Sequence, residues 1–302
     1  MTNIFELLKG KDTDSDFKKK PVIVQGITGK FGSHHTKLMI EYGTNIAAGV
    51  TPGKGGEKFE GVPIYNTVKE AVDATGAKVS IVFVPAKFFL SAGKEALESG
   101  IKLLIAIPEH VPVRDTLELL EMAKQKDAVV IGPNTPGVII PEVIKIGIMP
   151  ASPFKGGDIV VLSKSGTLLY EISNALTQAG FGQAITIGIG GDPVNGTRLI
   201  DAFEMIKDIP DLRGLVVVGE IGGDAEELLA QKIIDSGFNK PVVAYIAGRA
   251  APKEKRMGHA GAIVMGNYGS AESKVSMFNK ANVPVAKRPA EVPVLLATKM
   301  EN

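Results

Sequence analysis

A single recurring unit restricts the fold more than any other feature: a β-branched apolar run, a glycine-rich turn, then a segment of helix length. In the first half the runs are Pro21–Gln25, Asn45–Val50, Val79–Val84, Lys102–Ile107 and Ala128–Ile131. They are nearly continuous rather than alternating, as expected for strands covered on both faces. The helical segments between them supply the layers and crossovers that parallel strands require. One of these, Val113–Lys126, carries Leu117, Leu120, Met122 and Ala123 at helical spacing. A turn-rich break, Pro133-Asn134-Thr135-Pro136-Gly137, interrupts the pattern. It restarts with Asp158–Leu162, Ala184–Gly188, Gly214–Val218 and Pro241–Ile246. The reading is α/β: two doubly wound domains, residues 1–134 and 135–302, which a chain of 302 residues accommodates.

Composition narrows the partners. Lys and Arg total 34 against 33 Asp and Glu, so no charge excess points to nucleic acid or an anionic membrane. The cations also form no stripe with interleaved aromatics. Met1 to Lys20 is polar and lacks the apolar core of a signal peptide, and no apolar run is long enough to span a bilayer. Cysteine is absent, which removes disulfides, thiolate metal sites and cysteine nucleophiles together. A soluble cytoplasmic protein, with neither nucleic acid nor membrane as partner, is the expectation.

In open α/β sheets ligands bind beyond the carboxyl ends of the strands. The first run leads into Gly26-Ile27-Thr28-Gly29-Lys30-Phe31-Gly32, with a helix expected from about Ser33. Glycines allow close approach of backbone to a phosphate, and the helix start offers unpaired N–H groups. The spacing is G-x-x-G-x-x-G, not the dinucleotide fingerprint G-x-G-x-x-G. A NAD-binding domain also needs an acidic residue at the end of the second strand. Here that strand ends in Val50-Thr51-Pro52-Gly53-Lys54-Gly55-Gly56. A lysine at that place suits a phosphate on the ribose, as in coenzyme A; NADP and a ligand-free glycine turn are the rivals.

The second half carries different chemistry. Asp158–Leu162 leads into Ser163-Lys164-Ser165-Gly166-Thr167 and then a helical segment. This is a small phosphate cradle by composition, although ordinary helix N-capping explains the same residues and the nucleophile elbow G-x-S-x-G is absent. Glu220 follows Gly214–Val218 at the sheet edge, and His259 follows Pro241–Ile246 in Gly258-His259-Ala260-Gly261, after the charged stretch Lys253-Glu254-Lys255-Arg256. His34 and His110 read as surface or satisfied core residues. His259 differs in having glycines on either side and a carboxylate one strand away. A carboxylate on one imidazole nitrogen orients the other for nucleophilic attack, so cradle, histidine and glutamate point to covalent phosphoryl transfer. One His and no Cys give too few ligands for a metal. No G-x-x-x-x-G-K-[ST] loop occurs, so the phosphoryl group is expected to be exchanged with another chain's nucleotide.

The segments GITGKFG, GVTPGKGG, PNTPGVI, KIGI, SKSGTLLYE, GIGGDP, GEIGG and RMGHAGAI run in an order that resembles the α subunits of succinyl-CoA synthetases, the succinate–CoA ligases. The likeness extends from about residue 20 almost to the C-terminus. It implies a CoA-binding Rossmann-like domain followed by a flavodoxin-like domain. It also implies the reversible tricarboxylic-acid-cycle reaction of succinate, coenzyme A and a nucleoside triphosphate to succinyl-CoA, nucleoside diphosphate and phosphate. Coenzyme A is then expected on Thr28, Gly29, Lys30, Phe31, Lys54, Ile107, Pro108 and Glu109. His259 becomes the phosphorylated residue, supported by Glu220. Ser163, Ser165, Gly166 and Thr167 become the phosphate cradle, and Tyr170 lies where the acid is bound. A β subunit, in a heterodimer or heterotetramer, would carry Mg²⁺ with ATP or GTP. Two departures from many relatives stand out: Thr135 where they have Cys, and Lys164 where they have Arg, which loses the bidentate fork. The first 20 residues have no counterpart and read as peripheral. A sister ligase acting on malate or another short acid would share these motifs, and a non-catalytic CoA-binding regulator would share those of the first half.

Overall fold

The computed structural model describes Ile4, Leu8 and residues 20–251, 258–264 and 269–301. These form two compact units. The first runs to Ile139 and takes in Val143–Met149 and Val194–Thr197; the second takes in Ile140–Glu142, Pro150–Pro193 and the chain from Arg198.

The first unit contains β1 (Val22–Gln25), α1 (Lys30–Glu41), β2 (Ile46–Val50), β3 (Lys58–Phe59), β4 (Val62–Tyr65), α2 (Val68–Thr75), β5 (Val79–Val82), α3 (Phe89–Glu98), β6 (Leu103–Ala106), α4 (Val113–Gln125) and β7 (Val129–Ile131). Its sheet order is β3-β4-β2-β1-β5-β6-β7, parallel except for the β3–β4 hairpin. Without β3 this is the Rossmann order 3-2-1-4-5-6. Every residue of β1, β5 and β6 is buried, which is why these strands read as continuous apolar runs. The helices are delimited by local chemistry: Thr67 and Glu70 form a capping box at the start of α2, and Gly76 ends it with φ 68°.

Three expectations change. The helix expected from Ser33 begins at Lys30, with Gly29 as its N-cap, so the glycine loop and the helix start are one structure. The core stripe of α4 is Thr116, Leu119 and Ala123, while Leu117 is 54% exposed. Leu120 and Met122, half-buried, pack against the same core, so of the expected residues Leu117 is the one that faces solvent. Ile4 and Leu8, within the segment read as peripheral, are fully buried; the remainder of residues 1–19 lies outside the described residues.

After β7 come β8 (Gly137–Ile140) and β9 (Ile144–Gly147), where the chain passes between the units. Thr135 is 2% exposed, and its hydroxyl accepts the Gly137 N–H at 2.9 Å. A hydroxyl therefore serves this turn as a local acceptor.

The second unit contains β10 (Gly156–Ser163), α5 (Gly166–Gln178), β11 (Gln183–Gly188), α6 (Leu199–Ile206), β12 (Gly214–Glu220), α7 (Ala225–Ser236), β13 (Val242–Ala247), α8 (Ala271–Lys280), β14 (Val285–Ala286) and α9 (Val292–Glu301). Within it the strands lie parallel in the order β14-β13-β12-β10-β11. Counted from β10 this is 2-1-3-4-5, the flavodoxin-like order, whose direction reverses between β10 and β12. Ile159, Val161, Ile172, Leu176, Val216, Val218, Val243 and Leu296 build one face of its core. Each such side chain stabilises by about 1.5–3 kcal/mol when buried, which holds the carboxyl ends of β10 and β12 side by side. Among the described residues no helix is long and apolar enough to cross a membrane.

Candidate functional site

In the first unit the expected residues lie on the carboxyl edge of the sheet. Thr28, Gly29, Lys30 and Phe31 are exposed between β1 and the first turn of α1. The Thr28 hydroxyl donates to the Thr51 hydroxyl at 3.1 Å, joining the loops after β1 and β2. Gly26 has φ 80°, and a Cβ at Gly32 would stand 2.2 Å from the Gly26 carbonyl oxygen, so the turn closes onto the helix only with glycine there. Lys54 is half exposed and its amine pairs with Glu57 at 3.2 Å. The loop that presents it is shaped by Asn66, whose Oδ1 accepts from Gly53 N at 2.8 Å and Gly55 N at 3.0 Å. Ile107 is buried, and Pro108 and Glu109 follow it at the end of β6, two strands from β1.

Sequence reasoning missed three contributors here: Asn66, Phe83 and His35. His35 stacks on Phe83 with ring centroids 6.0 Å apart, and Phe31 meets both edge-on. Burial, then His34 and Lys145, push the His35 pKa down to about 4. Its one sequence signal is helical spacing from Phe31, too weak to separate it from the exposed His34.

In the second unit β12 is two residues longer than its apolar run, so Glu220 is the last residue of the strand and is 6% exposed. Parallel pairing sets Glu220 opposite Ala247, the last residue of β13. The loop after β13 thus starts beside the carboxylate and brings back His259. His259 Nδ1 lies 2.7 Å from Glu220 Oε2. With Nδ1–H donating to the carboxylate, Nε2 keeps its lone pair, the arrangement a nucleophilic imidazole requires. The hydrogen bond to Glu220 holds the His259 pKa above its ordinary value, against burial and the nearby Lys164. Glycine makes this docking possible: a Cβ at Gly222, where φ is 93°, would fall 2.0 Å from the Gly261 carbonyl oxygen.

The serine loop reaches the same edge. Ser165 caps α5, its hydroxyl accepting from Leu168 N at 3.4 Å. Ser163 Oγ donates to the Ser165 carbonyl at 2.7 Å and accepts the Ser165 N–H at 3.1 Å, so this hydroxyl shapes the turn. The amides of Gly166 and Thr167 open the first turn of α5, the positions that an α-helix leaves without intrahelical acceptors. A helix of 13 residues gives them a favourable dipole for an anion. Tyr170, one turn on, meets Phe154 edge-on, and burial pushes its hydroxyl up to about 12, so it stays a protonated donor.

Lys164 stands between two carboxylates. Its amine lies 3.9 Å from Glu220 Oε1 and 3.6 Å from Glu226 Oε1. Glu226 and its partner Lys274 are fully buried. Neither was found in the sequence, where no pattern marks a charged residue of one helix as the partner of another. The cations Lys253, Lys255 and Arg256, read as company for His259, lie outside the described residues.

Residues 17–110 match the family model of a CoA binding domain, and residues 162–283 match that of a CoA-ligase. The chain is 50% identical over 277 residues to the ADP-forming succinate–CoA ligase subunit alpha of Aquifex aeolicus, covering 91% of this chain and 90% of the relative. It is 49% identical over 270 residues to the corresponding subunit of Methanothermobacter thermautotrophicus, covering 89% and 91%. Among solved structures, ATP citrate lyase from Methanothrix soehngenii, in complex with citrate and coenzyme A, superposes with a TM-score of 0.85 over 94% of this chain at 23% identity. The chain spans about half (50%) of the length of that lyase chain. A dinucleotide-forming acetyl-coenzyme A synthetase from Ca. Korarchaeum cryptofilum superposes with a TM-score of 0.74 at 19% identity, covering 96% of this chain and 61% of that one. These structures share the fold.

Proposed function

The chain belongs to the family of succinate–CoA ligase α subunits, and from that premise we propose that its residues 1–134 hold coenzyme A while residues 135–302 carry a phosphoryl group on His259. It is a subunit of an acid–CoA ligase, and the reaction is the reversible formation of succinyl-CoA. The partner is a β subunit, in a cytoplasmic heterodimer or heterotetramer, that holds Mg²⁺ with the nucleotide. The relatives' ADP-forming names support ATP as that nucleotide.

The observation that carries the reading is the 2.7 Å contact of His259 Nδ1 with Glu220, which leaves Nε2 available. In the ligase direction Nε2 attacks the terminal phosphorus of the triphosphate, and the bond to the diphosphate oxygen breaks. The Nδ1 proton stays on its nitrogen, held by Glu220. Nε2 then yields the phosphoryl group to the succinate carboxylate: a P–O bond forms, the P–N bond breaks, and its electron pair returns to the ring. The amides of Gly166 and Thr167 and the cap of Ser165 stabilise the transferring charge in a fixed geometry. Tyr170 offers a hydrogen bond to the acid.

The first unit fits coenzyme A. Its glycine turn leaves the Thr28–Phe31 edge open to a phosphate, its second strand ends without a carboxylate, and Lys54 supplies a cation there. Coenzyme A, when bound, would supply the thiol that takes the succinyl group from the acyl phosphate: a C–S bond forms, the C–O bond to phosphate breaks, and inorganic phosphate leaves. Ile107, Pro108 and Glu109 line the same edge.

The test is labelling of the complex by ATP carrying a radioactive terminal phosphate. An acid-labile, base-stable phosphoprotein forms on the wild-type chain and is absent from His259→Asn. Label persisting in that variant refutes the assignment.

A further inference from the structure

Glu220 has two carboxylate oxygens, and one of them faces His259. The other, Oε1, is buried without a hydrogen-bond partner, and the amine of Lys164 stands 3.9 Å from it. That amine does not close on Glu220, because Glu226 Oε1 competes for it at 3.6 Å. Glu226 Oε1 also accepts the backbone N–H of Glu220 at 3.0 Å, so the same carboxylate fixes the end of β12. Its other oxygen is bonded by Lys274, whose amine also reaches Glu227 Oε2 and the Gly223 carbonyl, each at 2.9 Å. The result is an alternating row running Lys274, Glu226, Lys164, Glu220, His259.

Such a row needs a reason, since burying the fully enclosed Lys274–Glu226 pair is costly unless every partner is satisfied. Burial pushes the Glu226 carboxyl up, yet Lys164 and Lys274 outweigh it and hold the group below the usual carboxylate range. Glu226 is therefore a charged anchor, and Lys164 is the one member of the row that it shares with the site.

We propose that Lys164 is a positioning residue for phosphoryl transfer: held back by Glu226, it shares the Glu220 carboxylate with His259 and so limits how tightly that carboxylate keeps the imidazole proton. This rests on the reading of His259 as the phosphoryl carrier. The chemistry requires a balance. A carboxylate with no counter-charge favours the imidazolium, which has no lone pair for phosphorus; a carboxylate fully taken by lysine no longer fixes the tautomer. Among the described residues the charged groups acting on His259 are Glu220 from β12, Lys164 from the loop before α5, and Asp192 from the loop after β11. Lys164 in turn faces Glu220 and Glu226, and Glu226 is backed by Lys274 from α8. Lys164 lowers the His259 pKa while Glu220 raises it.

The experiment measures the rate of His259 phosphorylation by labelled ATP against pH, in the complex with its partner subunit. Two substitutions act in opposite senses. Lys164→Met removes the counter-charge, so the acid limb of the profile moves to higher pH by about one unit, a tenfold loss of rate on the limb. Glu226→Gln keeps an acceptor for the Glu220 amide but releases Lys164 to Glu220, so the limb moves to lower pH. Lys164→Arg keeps the charge and restores the wild-type profile. Profiles for Lys164→Met and Glu226→Gln that superimpose on wild type, or that shift in the same direction, overturn the proposal. Should Lys164→Met not fold, Glu226→Gln decides alone: a downward shift supports the proposal and an unchanged limb overturns it. A wild-type chain that takes no label on His259 instead refutes the reading beneath it.

Discussion

Gly191→Ala isolates the position of the His259 ring from every other property of the site. Gly191 follows β11, and a Cβ built on it stands 2.5 Å from His259 Cγ, 2.6 Å from Cδ2 and 2.7 Å from Nδ1. Its φ is outside the left-handed region, so alanine suits the backbone and the whole effect is steric. Carbon atoms in good contact lie about 3.5–4.0 Å apart, so the ring must retreat by about 1 Å. A retreat of that size stretches the 2.7 Å contact with Glu220 beyond hydrogen-bond range. Loss of an orienting partner costs about 10–100-fold, and a 1 Å misplacement of a reacting group costs about 100-fold. The two overlap, since both act through the same displacement, so the expected loss in phosphorylation rate is about 100-fold.

The assay is single-turnover labelling of the complex by ATP, with a thermal melt to verify folding. Gly261→Ala is the control: its added Cβ meets nothing closer than 3.7 Å, an ordinary contact, and labelling stays near wild type. Wild-type labelling in Gly191→Ala refutes the argument that ring placement, fixed by Glu220, governs the transfer.

Further outcomes follow from the two sites. Glu220→Gln slows labelling about 10–100-fold; because Glu220 raises the His259 pKa, its loss also moves the acid limb to lower pH, and a limb that stays in place contradicts the assigned cause. The His259–Glu220 contribution to stability is full below the unfolded histidine pKa and is lost as pH rises through the raised folded value. Lys54→Ala weakens coenzyme A binding about 10–150-fold and abolishes preference over dephospho-CoA; paired titrations at matched ionic strength that retain the preference show that Lys54 does not meet the 3′-phosphate. His35 is depressed from 6.5 to about 4 by burial, so stability present above 6.5 is lost as pH falls through that window. His35→Phe keeps the stack on Phe83 and flattens this loss, and parallel melting curves for the two chains across the window refute it.

Legibility from sequence tracked the physics of each element. Strands buried on both faces, such as Val22–Gln25 and Leu103–Ala106, are read directly because burial on both sides makes them almost wholly apolar, with Gln25 satisfied by the Ser80 hydroxyl. The Lys58–Phe59 strand went unread because two edge residues, one exposed, carry no pattern. On α4, Leu117 was misassigned to the core face because Leu117 and Leu119 are equally apolar, and only packing distinguishes them. At the candidate site, His259 and Glu220 were legible because glycines beside a reactive side chain at a sheet edge have few other uses. Lys164 was read as a weakened anion clamp, and its placement between two carboxylates was invisible, since it depends on Glu226 lying six residues and one turn beyond Glu220.

The flavodoxin-like order explains why these groups meet. Reversal of strand order between β10 and β12 sets Ser163 and Glu220 on adjacent strands at the open edge. Helix α5 then starts beside β10 with its amides toward that edge, while β13, on the other side of β12, delivers the histidine loop next to the same carboxylate. The serine loop, Glu220 and the loop that carries His259 thus follow three consecutive strands of the sheet. The glycines make the meeting close enough for chemistry: Gly222 admits the Gly261 carbonyl, and Gly191 admits the ring itself. A side chain at either place separates His259 from Glu220, so the glycine-rich motifs around this site set the histidine's position as directly as the glutamate does.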